Sequence, residues 1–187
     1  MPLGAARFGL LGGVADLGKL ELIETQTYST AVSAVDFTSI DESTYNVHFV
    51  TLNNLQPTTD TTLYMYFYES GVLETASVYQ WARQYNQSNG GNGTQNSTAL
   101  AGINIGNTLS SDIYETGQSY IYIYNAGDSS KYTFCTFQDV VLKDGIFTAT
   151  FGSAVLPQTS TVDGFRFSLV SGNFSSFDIS LYGIAES

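Results

Sequence analysis

Twice the chain alternates apolar residues with tyrosine almost without a break, in Leu63-Tyr64-Met65-Tyr66-Phe67-Tyr68 and in Tyr120-Ile121-Tyr122-Ile123-Tyr124. A strand sends successive side chains to opposite faces, so each run predicts a strand with Leu63, Met65, Phe67, Ile121 and Ile123 turned to a core. The phenols then form a row on the other face. Tyrosine offers a large flat ring at little rotamer cost and keeps a hydroxyl, which suits a contact surface; its β-propensity alone also accounts for the pattern. Tyr64, Tyr66, Tyr68, Tyr120, Tyr122 and Tyr124 are therefore candidate subunit-interface residues, and so much exposed aromatic surface predicts a homo-oligomer such as a trimer.

Further β signals recur between turn clusters, giving candidate strands at 20–28, 31–38, 45–53, 63–68, 78–85, 119–124, 132–138, 145–151, 164–170 and 177–184. The separators, among them Asp41-Glu42-Ser43, Lys143-Asp144-Gly145 and Ser171-Gly172-Asn173, carry turn chemistry. About ten short strands at this spacing predict an all-β fold, a jelly-roll-like β-sandwich. Only 73–83 would tolerate a helical turn. At 187 residues the chain is long enough to bury about 70% of its extended surface in one domain without disulfides. We read residues 1–19 as an extended N-terminal arm and 20–187 as the sandwich, with 86–98 a polar loop insertion.

The arm region, Met1-Pro2-Leu3-Gly4-Ala5-Ala6-Arg7-Phe8-Gly9-Leu10-Leu11-Gly12-Gly13, is broken by Arg7 and its glycines before a signal-peptide core can form. Leu3, Arg7, Phe8, Leu10 and Leu11 are its candidate partner contacts. The Asn86–Thr98 stretch is low in complexity and cannot bury apolar surface, which predicts a solvated tip. Asn86, Asn92, Asn96 and Asn173 match the N-glycosylation pattern, three of them by the composition of this one stretch. Asn86, Asn89, Asn92 and Asn96 are candidate contacts to sugar hydroxyls.

Charge narrows the partners. Seventeen acidic residues against six basic ones give a net charge of −11, and the cations Arg7, Lys19, Arg83, Lys131, Lys143 and Arg166 are scattered, which argues against nucleic acid. No run approaches the roughly 20 apolar residues of a membrane span. Cys135, the only cysteine, sits in an alternating run and reads as a small buried thiol; His48, the only histidine, reads as a strand-surface residue. One of each cannot build a His/Cys zinc site or a convincing nucleophile–base pair. Glu69, Glu74 and Glu115 lie near strand ends and are the carboxylates a glycosidase reading would need, but among 17 acids such groups are expected on any solvated surface. The expectation is a non-enzyme with no cofactor, no catalytic residue and no metal site.

Arg7-Phe8-Gly9-Leu10-Leu11-Gly12-Gly13, Gly18-Lys19-Leu20-Glu21-Leu22-Ile23 and Val35-Asp36-Phe37-Thr38-Ser39-Ile40 resemble small β-rich structural proteins of tailed bacteriophages, especially marine ones. The close is similar too, in Asp163-Gly164-Phe165-Arg166-Phe167, Ser171-Gly172-Asn173-Phe174 and Ile179-Ser180-Leu181-Tyr182-Gly183-Ile184. The resemblance touches both ends of the chain, and its motifs are mostly strand and turn residues. It implies a jelly-roll or concanavalin-like sandwich built into the virion, assembled in the bacterial cytoplasm, with no catalytic residues to carry over. A capsid decoration (cement) protein on the major capsid lattice is the first expectation. A tail-fibre or receptor-binding component contacting host glycans is the second, and a carbohydrate-active enzyme a distant third.

Overall fold

The computed structural model describes residues 19–28 and 30–185. The candidate arm contacts Leu3, Arg7, Phe8, Leu10 and Leu11 lie outside the described residues. All regular structure described is β, in two sheets. Eight strands form the larger: β1 (Leu20–Tyr28), β13 (Phe174–Ile184), β3 (Val47–Pro57), β9 (Gly117–Tyr124), β10 (Thr133–Lys143), β11 (Ile146–Leu156), β6 (Tyr79–Gln87) and β7 (Asn92–Leu100), in that spatial order. The smaller orders β2 (Ala34–Phe37), β12 (Val162–Leu169), β4 (Leu63–Glu69) and β5 (Val72–Leu73), with β8 (Ile103–Asn104) also on β4. Every pairing between named strands is antiparallel.

The alternation does what it predicts. Leu63, Met65, Phe67, Ile121 and Ile123 are all buried, and they share one apolar cluster with Phe37, Phe165, Phe167, Leu52, Ile179 and Leu181. Phe37 stacks on Phe165 at 5.0 Å, and Phe165 meets Phe167 edge-on at 5.4 Å. Each sheet thus spends one face on the other, and each keeps one face outward.

Several expectations change. The polar 86–98 segment is a hairpin rather than a loop insertion: β6 runs to Gln87, the chain turns through Gly90 at φ 90°, and β7 pairs back along β6. An edge strand needs only one ladder of backbone hydrogen bonds and no buried row of its own, so apolar alternation does not mark it. That strand, with the two-residue β5 and β8, raises the described strands from about ten to thirteen. The 73–83 segment enters β6 and holds no helix. β10 and β11 run longer than expected because the Asp144–Gly145 turn, with both φ positive, joins them directly and carries the ladder from Lys143↔Ile146 to Thr133↔Leu156. His48 is fully buried, not on the strand surface: its Nε2 lies 2.7 Å from the Ile40 carbonyl, its ring meets Tyr45 edge-on, its buried Nδ1 has no hydrogen-bond partner, and burial holds it below the ordinary histidine pKa.

Met65→Ala and Ile123→Ala should each lower unfolding stability by about 2–5 kcal/mol in urea titrations, because neither cavity can collapse in a core shared by two sheets. Tyr122→Ser, on the outward face of the same strand as Ile123, should cost the monomer less than either.

Candidate functional site

The outer face of the eight-stranded sheet stands apart from the rest of the surface. Its register sets one unbroken row across all eight strands: Leu22, Tyr182, Phe49, Tyr122, Thr136, Ser153, Ala82 and Asn96. A second row runs parallel through Thr25, Ser180, Thr51, Tyr120, Gln138, Phe151, Gln84 and Thr94. Shorter rows flank them, Val47-Tyr124-Phe134-Val155-Gln80 on one side and Gln118-Val140-Ala149-Asn86-Asn92 on the other. None of these residues is charged, in a chain of net charge −11. Asp178, at the margin opposite Asn53, is held by the Asn54 amide at 2.9 Å.

Large apolar groups in these rows are open to solvent. Leu22 is 60% exposed, Phe151 49%, Phe134 45% and Tyr120 41%. Phe49 lies between Tyr122 at 4.7 Å and Tyr182 at 6.2 Å, making a ring ridge over β13, β3 and β9. The Tyr120 hydroxyl donates to Gln138 Oε1 at 2.6 Å, and the Tyr124 hydroxyl lies 3.2 Å from Thr136 Oγ1, so the phenols are braced along the sheet. Beyond the ridge the small side chains of Ala82 and Ser153 leave two adjoining hollows of about 470 and 490 Å³ over β11, β6 and β7, flanked by Phe134 and Phe151. A smaller one, about 260 Å³, lies beside Phe49, Tyr120 and Gln138. The face thus combines exposed apolar side chains with uncharged polar ones.

The two phenol rows do not meet. Tyr120, Tyr122 and Tyr124 belong to the outer face just described; Tyr64, Tyr66 and Tyr68 point from the smaller sheet, on the opposite side of the sandwich. All three are half-buried: the backbone at Gly102 presses on Tyr64 and Tyr66, and the Tyr68 hydroxyl donates to Asp36 at 2.9 Å. Asp36 in turn takes a two-point ion pair from Arg166 at 2.6 and 2.8 Å, whose guanidinium holds its carboxyl below the usual range. Of the candidate sugar contacts, Asn86, Asn92 and Asn96 stand in the outer rows, and Asn89 sits in the hairpin turn accepting from the Gly91 amide.

The other candidates serve locally. Cys135 is buried, which pushes its thiol up to about 12. Burial raises the Glu69 carboxyl pKa, while the Ala76 amide lowers that of Glu74. Ser160 donates to Glu69, while the Ala76 amide and Gln158 hold Glu74. Glu115 accepts from the Asp144 and Gly145 amides and braces the β10–β11 turn. Among the described residues no group of three or more His, Cys, Asp or Glu is placed to hold a metal ion, and no helix is long and apolar enough to cross a membrane.

No family model matches the chain, and no curated protein matches it. Among solved structures, a human SPRY domain is similar over 87% of this chain and 94% of its own, at 10% identity and a TM-score of 0.39. The exo-inulinase of Aspergillus awamori is similar over 88% of this chain and 29% of its own, at 11% identity and a TM-score of 0.36.

Sequence reasoning missed two buried charged residues on the inner face of the large sheet. Arg83 reaches Gln95 at 2.5 Å, and Asp139 accepts from the Ser119 hydroxyl at 2.8 Å and the Asn107 amide at 3.3 Å. Gly106 lets the backbone lie against the Asp139 carboxylate, where a Cβ would stand 2.2 Å from an oxygen. Burial raises the Asp139 pKa to about 6, against the opposing pull of the Ser119 bond and Arg83. An acid raised in the folded state stabilises below its unfolded value near 3.8 and loses that contribution as pH climbs through about 6. The stability of Asp139→Asn relative to the native chain should therefore rise by about 3 kcal/mol between about pH 3 and 7 and then level off. Parallel stability curves for the two proteins would show that Asp139 titrates normally.

Proposed function

We propose that this chain is a non-catalytic structural subunit that associates through the outer face of its eight-stranded sheet. The particle it joins is a tailed-phage virion of the kind its two ends resemble, where it acts as a capsid decoration protein on the major capsid lattice. The observation that carries the reading is the pair of uncharged rows running the full width of the sheet. Like-charged copies crowded on one lattice repel, and desolvating a carboxylate at a contact is costly. A broad face free of charge, rich in Tyr and Phe, avoids both costs and has the composition of an interface centre. The opposite sheet, with its Asp36–Arg166 pair, suits solvent.

A second reading has its own observation. Gln80, Gln84, Asn86, Asn92 and Asn96 bring amide donors and acceptors beside Phe134 and Phe151 on one surface, a combination that fits neutral sugar hydroxyls and ring faces. On that reading the protein is a receptor-binding component of the same particle.

Immunogold labelling of gradient-purified tailed particles, with an antibody raised against the exposed loop at Ile113 and Tyr114 outside the face, tests both. Label spread evenly over heads is expected for decoration, and label confined to the tail tip supports the glycan reading. Particles without label, from a lysate that contains the protein, would overturn the structural role.

A further inference from the structure

We propose that the outer face of the eight-stranded sheet packs against the same face of a second copy of this chain, across a two-fold axis lying along the strands between β9 and β10. The inference rests on the reading above that this face is the contact surface, and it names the occupant. Charge points to it first. Two chains of net charge −11 repel wherever acidic surfaces meet, and the outer rows are a broad surface on which two copies can close without placing carboxylate against carboxylate. Area agrees. Eight strands spaced about 4.8 Å apart and four rows of outward side chains give a face of about 34 by 20 Å. That is roughly 700 Å² per copy and roughly 1,400 Å² in total, within the range of specific interfaces.

Shape fixes the axis. The ring ridge of Phe49, Tyr122 and Tyr182 lies on the β1 side of the face, and the hollows over Ala82 and Ser153 lie on the β7 side. Rotation about an axis between β9 and β10 carries the ridge of each copy onto the hollows of the other, so the contact is made twice. A face that is complementary to itself closes at two copies, which argues for a dimer in place of the trimer that the phenol rows suggest by themselves. Tyr122 and Thr136 are cross-strand neighbours at that axis.

Sedimentation of the full chain at micromolar concentration should give a dimer, and Ala82→Glu and Ser153→Glu should each weaken its Kd at least about 100-fold, the charge entering the interface twice. Both sites are solvent-facing in one copy, so circular dichroism and thermal midpoint should barely move. Thr136→Cys provides a second readout. Cys135 is buried, so the new thiol beside the axis should cross-link to its symmetry mate through a bis-maleimide of about 8–11 Å span, face-to-face sheets lying too far apart for a direct disulfide, while Ser168→Cys on the smaller sheet should not. A dimer that persists in both Glu variants and fails to cross-link through Thr136→Cys would overturn the pairing. So would a native monomer that dimerises only after residues 1–18 are removed, an outcome that assigns the face to that segment. A native monomer whose antibody still decorates particles overturns the pairing and leaves the structural role standing; a monomer absent from particles overturns both.

Discussion

Burial of the inward residues of one sheet against those of the other sets every other feature of this molecule. Phe37, Phe67, Phe165 and Phe167 from the smaller sheet share a cluster with Val50, Leu52, Ile121, Ile123, Ile179 and Leu181 from the larger. Because side chains alternate strictly, committing Ile121 and Ile123 to that cluster commits Tyr120, Tyr122 and Tyr124 to the outside. The same rule applied to Leu63, Met65 and Phe67 sends Tyr64, Tyr66 and Tyr68 the other way. One packing decision thus produces two outer faces.

Those faces are then treated differently. On the smaller sheet the backbone near Gly102 covers Tyr64 and Tyr66, and Tyr68 joins the ion pair of Asp36 and Arg166. On the larger sheet Tyr120, Phe134 and Phe151 are exposed, Phe49, Tyr122, Tyr124 and Tyr182 are half-buried, and charge is kept to the margin at Asp178. Acidic groups elsewhere hold turns: Asp128 pairs with Lys131, Asp60 with Lys143, and Glu115 caps the Asp144–Gly145 amides. The acidity of the chain is therefore gathered away from the face proposed for contact.

How much of this was legible depended on how local its cause is. The core positions of β4 and β9 follow from period-two patterning alone, and so does the buried thiol of Cys135. β7 was not legible, because a polar edge strand is specified by its neighbour's free backbone groups and not by its own side chains. His48 was misread for a related reason: the Ile40 carbonyl that meets its Nε2 comes from a separate segment. Arg83 and Asp139 gave no signal, since a charge at an inward position is recognisable only once the register puts Ser119 and Gln95 beside it. The outer face was half legible. Its phenols could be read from β9, but the eight-strand rows exist only through pairings between residues far apart in the chain, and the identical signature in β4 leads to a different environment.

Hydroxyl-radical footprinting of the full chain, read by mass spectrometry across a concentration series, tests most directly that this face is the one the protein buries when it associates. Ile113 and Tyr114, 66% and 85% exposed outside the face, supply the reference. The account predicts that oxidation of Phe134, Phe151 and Tyr120 falls as concentration rises while Ile113 and Tyr114 stay constant. Equal labelling of all five at every concentration, in a sample that is demonstrably associated, would contradict it.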